Sequence, residues 1–235
     1  MKYFIDTEFH EYKKKPFLQK HIDTIELISI GIVTDNGREY YAICNEFDAC
    51  NAFKNEWLRD NVLKSIYLEI IKQYHGDSRN RVLDKYSFTI TGFKRMMRHF
   101  GKSRKQIAKE IKQFVYSCEG VEFHRNDISG NEHWSYAPLN TNPQFYAYYA
   151  DYDWVVFCWI FGRMIDLPKG FPMYCRDLKQ IMDEKGLSKD WKKDYCPDPI
   201  GEHNALIDKA TSLDIPMDKW GFGRAIDFDE VTKKD

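Results

Sequence analysis

Residues 25–34 (Ile-Glu-Leu-Ile-Ser-Ile-Gly-Ile-Val-Thr) run into Asp35-Asn36-Gly37 and return through residues 38–44. A β-branched run that meets a Gly-containing tight turn and comes back is a strong short-range hairpin signal. Ahead of it, residues 3–6 (Tyr-Phe-Ile-Asp) read as a short buried strand. The polar, Lys-rich stretch 10–23, with Pro16, reads as the loop between them. Three antiparallel strands at the N-terminus are therefore expected.

Helical patterns follow. Residues 52–63 carry apolar side chains at helical spacing. Residues 103–117 begin at Ser103, a good N-cap, and place Ile107, Ile111, Phe114 and Val115 on one face. Between them, residues 64–100 read as basic and irregular, and residues 119–143 as a long loop rich in Gly, Asn, Asp and Ser. Residues 144–149 read as a fourth strand, 153–164 as a buried helix and 176–185 as an amphipathic helix. Pro197, Pro199 and Gly201 exclude a helix at 194–201, and residues 204–213 resume a helical pattern. Strands first, then strand–helix alternation, indicates an α/β fold: a mixed sheet with helices on its faces. The 235 residues suffice for one such domain with a full core and are short for two.

The net charge of −1 excludes a protein that coats nucleic acid through a global positive field. A nucleic-acid partner must be held by a local site, and metal ions bound by carboxylates can supply its positive charge. The six cysteines form no Cys-x-x-Cys pair. With no secretory leader before the first strand pattern, they read as reduced thiols in a cytoplasmic protein. No apolar run approaches the ~20 residues that span a bilayer, so no membrane partner is expected.

Asp6 and Glu8 sit two apart at the end of the first strand and so share a face. Two carboxylates there repel each other unless a cation lies between them, and magnesium or manganese prefers such oxygen ligands. Asp153 follows the strand at 144–149, just before the apolar helix Val155–Phe161. Its competitor, Asp151, could instead be a plain N-cap. His203 and Asp208 are five apart, about 140° on a continuous helix, so they would not share a face. The prolines and Gly201 resolve this by placing His203 in the entering loop and Asp208 one turn inside the helix, with Glu202 the nearest alternative acid. In this order the residues make Asp-x-Glu … Asp … His-x4-Asp. Four such acids can bind two divalent ions, one activating water and the other steadying a leaving 3′-oxygen and the phosphate. A neutral histidine can take the proton from that water.

That ordered set resembles the DEDDh 3′→5′ exonucleases, whose fold is ribonuclease-H-like. The motifs are Phe4-Ile5-Asp6-Thr7-Glu8-Phe9, Tyr149-Ala150-Asp151-Tyr152-Asp153 and His203-Asn204-Ala205-Leu206-Ile207-Asp208. A closer similarity is to the mycobacterial ribonuclease AS family of polyadenylate-directed 3′→5′ exoribonucleases. It is carried by Asp6–Phe9, Thr24–Gly31, Gly37–Ala42, Glu46–Asp48 and Trp57–Leu63, and resumes at Tyr152–Gly162 and Arg176–Gln180. The resemblance implies a ribonuclease-H-like mixed sheet and two magnesium ions, with manganese able to substitute. It also implies a single-stranded RNA (or DNA) substrate with a free 3′ end, and often a homodimer. Asp6, Glu8, Asp153 and Asp208 would be ligands and His203 the base. Phe9 would touch the terminal base or sugar, with Thr7 and Arg176 as further substrate contacts. This chain departs from the pattern in its extra material at about 64–100, 119–143 and after the third motif, and in Trp154, where the family often has His.

Three other features read as ordinary surface or core. The basic segment Lys94, Arg95, Arg98, Lys102, Arg104 and Lys105 reads as a solvated face, with guidance of an RNA backbone as the alternative. His124 and His133, with Glu122, Asp127 and Glu132, fit no zinc spacing. The Tyr-rich run 145–152 reads as strand packing.

Overall fold

In the computed structural model, residues 1–15, 20–74, 87–120, 122–126, 132–136 and 142–187 are described, with backbone only at 72–74, 122–126 and 132–136. The Pro-rich segment 194–201, the expected helix 204–213, Cys196, Glu202, His203 and Asp208 lie outside them.

Strand β1 (Lys2–Lys14) pairs antiparallel with β2 (Ile22–Thr34), from Tyr3 opposite Thr34 to Lys14 opposite Ile22. The turn that follows closes through Gly37 N–H to Thr34 O at 2.9 Å, with Gly37 at φ +80°, a value glycine adopts without strain. Strand β3 (Glu39–Ile43) returns antiparallel to β2. The three expected antiparallel strands are present, but β1 is far longer than residues 3–6. Of the stretch expected as a loop, His10–Lys14 and Ile22–Asp23 are strand: His10 is buried and Tyr12 half-buried, with Glu11 and Lys13 exposed, which is period two in polar residues. Cross-strand pairing, including Lys14 Nζ to Glu26 Oε1 at 3.0 Å, holds residues whose polarity alone suggested a loop. Between Glu8 and Phe9 the register slips, leaving Ile28 of β2 as the extra residue of a bulge.

The stretch after β3 is helical. Short helices α1 (Ala49–Ala52) and α2 (Glu56–Leu58) lead through a π-turn at Arg59–Leu63 into α3 (Lys64–Tyr74). Helix α4 (Ile90–Phe100) follows, N-capped by Thr89, so 64–74 and 90–100 are helical where an irregular stretch was expected. Helix α5 (Arg104–Cys118) starts where its pattern indicated, with Ser103 Oγ accepting from Gln106 N at 3.2 Å. Residues 119–143 are likewise not one loop. They contain β4 (Glu122–Asn126) and β5 (Glu132–Tyr136), a separate antiparallel pair. Lys102 pairs with Glu110 at 2.7 Å and Arg104 with Glu46 at 3.1 Å, so two of the six basic residues at 94–105 serve local ion pairs.

Strand β6 (Gln144–Ala147) pairs parallel with β1, and β7 (Arg176–Asp177) parallel with β6. The sheet order is β3-β2-β1-β6-β7: three antiparallel strands extended by parallel ones, an α/β arrangement consistent with a ribonuclease-H-like fold. Helix α6 (Ala150–Phe161) and α5 cover one face over Tyr3, Ile5, Ile30, Ile32 and Phe145. Helices α3 and α4 cover Ile28 and Ile43 on the other, with Ile66, Ile70, Phe93 and Met96. Helix α7 (Leu178–Glu184) follows β7.

Phe145 anchors the first layer. Its ring lies 5.1–5.5 Å, centroid to centroid, from those of Tyr3, Trp154, Phe157 and Phe171. Phe145→Ala is expected to cost about 3–5 kcal/mol of stability, because four rings would face one cavity; urea unfolding followed by circular dichroism measures it.

Candidate active site

The β1–β6 ladder is brief. It runs from Lys2 opposite Gln144 to Phe4 opposite Tyr146. After Ala147 the chain leaves the sheet through Tyr148 and Tyr149 and enters α6. Tyr149 occupies the left-handed region at φ +58°, alone among described non-glycine residues, and this turns the chain sharply into the helix. Beyond Phe4, β1 therefore loses its partner on that side, and its next outward N–H needs an acceptor. Asp153 supplies one: Thr7 N–H donates to Asp153 Oδ1 at 2.9 Å, and Thr7 Oγ1 donates to the same oxygen at 2.6 Å.

Asp153 is 8% exposed and Thr7 6%. Burial holds the Asp153 carboxyl above the ordinary carboxylate range, an effect the Thr7 bonds oppose and the neighbouring Asp177 charge adds to. Asp177 also fixes the start of α6. Its Oδ2 accepts from Ala150 N at 3.0 Å, while its Oδ1 caps α7 through Lys179 N and Gln180 N. Asp151 is exposed, and the cap position of α6 is Tyr149, with no side-chain cap bond. Asp151 is therefore neither the cap nor the residue that meets β1.

Asp6 and Glu8 lie on the face of β1 opposite Thr7, both half-buried. Asp6 is in register with Gly31 and, beyond it, Tyr41; Glu8 is in register with Ser29. Tyr41 records their proximity: burial pushes its phenol up, a bond to Ser29 opposes this, and the charges of Glu8, Asp6 and Glu69 push up again. Glu69, on α3, is only 8% exposed. It was missed because residues 64–100 were read as irregular, yet it shares a helical face with Ile66 and Ile70, an acid inside an apolar stripe. The Ser29 hydroxyl and His10 Nδ1 are also buried, with the Ser29 hydroxyl beside that of Tyr41.

Aromatic rings flank the acids. Phe9 stacks on Tyr152 at 5.7 Å between centroids and 17° between planes, and Tyr152 stays 47% exposed. The Tyr-rich run thus divides: Phe145 packs the core while Tyr149 and Tyr152 face outward. Phe4, Tyr146 and Arg176 form a row across β1, β6 and β7, on the face that carries Asp6. The exposed Arg176 guanidinium lies 5.9 Å from the Tyr146 ring and 6.0 Å from that of Tyr174.

The structure thus brings Asp153 onto the segment Asp6-Thr7-Glu8 and sets Phe9 beside it. Arg176 stands two strands away on the same face. Thr7 directs its hydroxyl inward to Asp153. Asp6, Glu8 and Asp153 offer only hard oxygen donors, the type that magnesium and manganese take. Among the described residues no three of His, Cys, Asp and Glu converge closely enough to cage an ion. The remaining expected members, His203 and Asp208, lie outside the described residues. Nor is any described helix long and apolar enough to cross a membrane.

No family model matches the chain. It is similar to a 3′-5′ exoribonuclease of Mycobacterium tuberculosis, at 28% identity over 213 residues, covering 91% of this chain and 89% of the relative. The protein of that name in strain CDC 1551 matches to the same extent as that of strain H37Rv. These findings are consistent with a member of the 3′-5′ exonuclease superfamily.

The placement of Asp153 generates a test without substrate. Manganese is expected to raise the unfolding midpoint of the wild type, by about 2.7 kcal/mol of stability at a hundredfold excess over Kd. Asp153→Asn should lose most of that rise and Asp151→Asn should keep it; differential scanning fluorimetry with and without the ion reads all three.

Proposed function

We propose that the protein is a 3′→5′ exoribonuclease of the DEDDh type. It removes nucleoside 5′-monophosphates from the free 3′ end of single-stranded RNA, with adenylate-rich ends as its preferred substrate. The observation that carries this reading is the anchoring of Asp153 on Thr7, between Asp6 and Glu8. The similarity to a protein named as a 3′-5′ exoribonuclease supports the reaction class. The adenylate preference rests on the family resemblance of the N-terminal motifs.

Asp6, Glu8, Asp153 and Asp208 would hold two magnesium ions, which manganese can replace. Bound there, the ions supply an acidified water and neutralise charge at the phosphate and the leaving 3′-oxygen. The protein's own groups do the rest. Thr7 and Asp177 hold Asp153 and the start of its helix in place. His203 takes the proton from the attacking water, a role suited to a base that titrates near neutrality. The ring of Phe9, backed by Tyr152, gives the terminal base a surface to stack on, and stacking accepts any base. Arg176, exposed above the Tyr146 ring, would meet a phosphate on the same face. A cytoplasmic homodimer is part of the same proposal and rests on the resemblance.

Purified protein with magnesium is expected to release 5′-mononucleotides from 3′-hydroxyl RNA oligomers, fastest from oligoadenylate. Asp6→Ala should lower the rate by orders of magnitude, because a shared ligand cannot be spared. Chromatography of the products from matched RNA and DNA oligomers measures both. Release of no mononucleotide from either polymer sinks the proposal, and equal rates on the two polymers remove the RNA preference.

A further inference from the structure

We infer that Thr7 is a positioning residue that sets the Asp153 carboxylate for cation binding, and that it makes no contact with substrate. The inference rests on the exoribonuclease reading for its cation and adds the group that orients one ligand.

Three observations carry it. First, the β1–β6 ladder stops at Phe4, so the Thr7 N–H faces the gap that α6 fills. Second, both Thr7 donors converge on a single oxygen, at 2.9 and 2.6 Å. An aspartate carboxylate turns freely about its last torsion, which is broad and roughly two-fold. Two donors from one rigid residue on Oδ1 oppose that rotation and fix the plane in which the carboxylate presents its other lone pairs to a cation. Third, Thr7 is 6% exposed and its hydroxyl proton is committed to Asp153, so it has neither the surface nor a free donor for nucleic acid.

The residue type matters. A β-branched side chain has a stiff first torsion, so the threonine hydroxyl is held where the carboxylate needs it. Serine keeps the donor, while valine keeps the shape and loses it. Residues that orient metal ligands in this way typically change metal affinity or activity by about 10–100-fold when removed.

The test compares wild type, Thr7→Val and Thr7→Ser, with circular dichroism confirming the fold and Thr7→Ala replacing Thr7→Val if the latter does not fold. Manganese binding without nucleic acid is measured by titration calorimetry, RNA affinity in EDTA by fluorescence anisotropy, and kcat and KM on oligoadenylate in magnesium. Thr7→Val is expected to bind manganese about 10–100-fold more weakly and to lose kcat by a similar factor, with RNA affinity within about twofold of wild type. Thr7→Ser should recover most of both losses. Unchanged manganese affinity in Thr7→Val overturns the inference, as does a Thr7→Ser protein as impaired as Thr7→Val. A loss of RNA affinity without a loss of manganese affinity would make Thr7 a substrate contact and overturn it equally. A wild type that binds manganese but cleaves no RNA refutes the exoribonuclease reading and leaves the binding comparison to judge Thr7. A wild type that binds no manganese refutes both.

Discussion

The end of one short ladder organises this molecule. Strand β1 is bonded along its whole length by β2, yet β6 accompanies it only through Lys2–Phe4. A backbone N–H left unpaired at a buried edge is costly, so something must meet Thr7 where β6 has gone. The chain solves this locally. It leaves β6 through a left-handed Tyr149, starts α6 at once, and brings a helical carboxylate to the vacant edge. A longer β6 would have satisfied Thr7 with sheet and excluded Asp153 from the acids of β1. The break in the sheet therefore both needs and creates the site.

Around that break the two faces of the sheet differ in task. The face under α5 and α6 is a packed aromatic core centred on Phe145, rigid enough to fix where α6 begins. The opposite face carries Asp6 and Glu8, the buried Glu69 and the buried hydroxyls of Ser29 and Tyr41. Polar groups buried there are expensive unless they are paired. The bulge at Ile28 lies beside Glu8, a place where bulges commonly re-aim a side chain. Rigid aromatic packing on one side and gathered carboxylates on the other thus divide the sheet.

The insertions are the part of the chain whose character changed most. Residues 64–100 contribute two helices that roof the second core and deliver Glu69. The hairpin of β4 and β5 stands between α5 and the strand that leads to Asp153. The helices were not legible because polar and basic residues on their exposed faces hide the apolar stripe, and the β4–β5 pair because Gly, Asn, Asp and Ser crowd the stretch around it. Glu69 shows the same difficulty at a single position: an acid within an apolar stripe reads as a break in the pattern until the helix is known.

The sequence by itself determined the hairpin at Asp35-Asn36-Gly37, the N-cap at Ser103, the mixed order of strands and helices, and the pairing of Asp6 with Glu8 on one face. Each of these follows from local rules: turn chemistry, capping and the period of two along a strand. Only the tertiary structure decided between Asp151 and Asp153 as the acid that meets β1, and brought both Thr7 donors onto Asp153. The physical reason is that both outcomes depend on where β6 stops relative to β1. That is a long-range register, set by the packing of Phe145 and α6, and no local pattern in the chain records it.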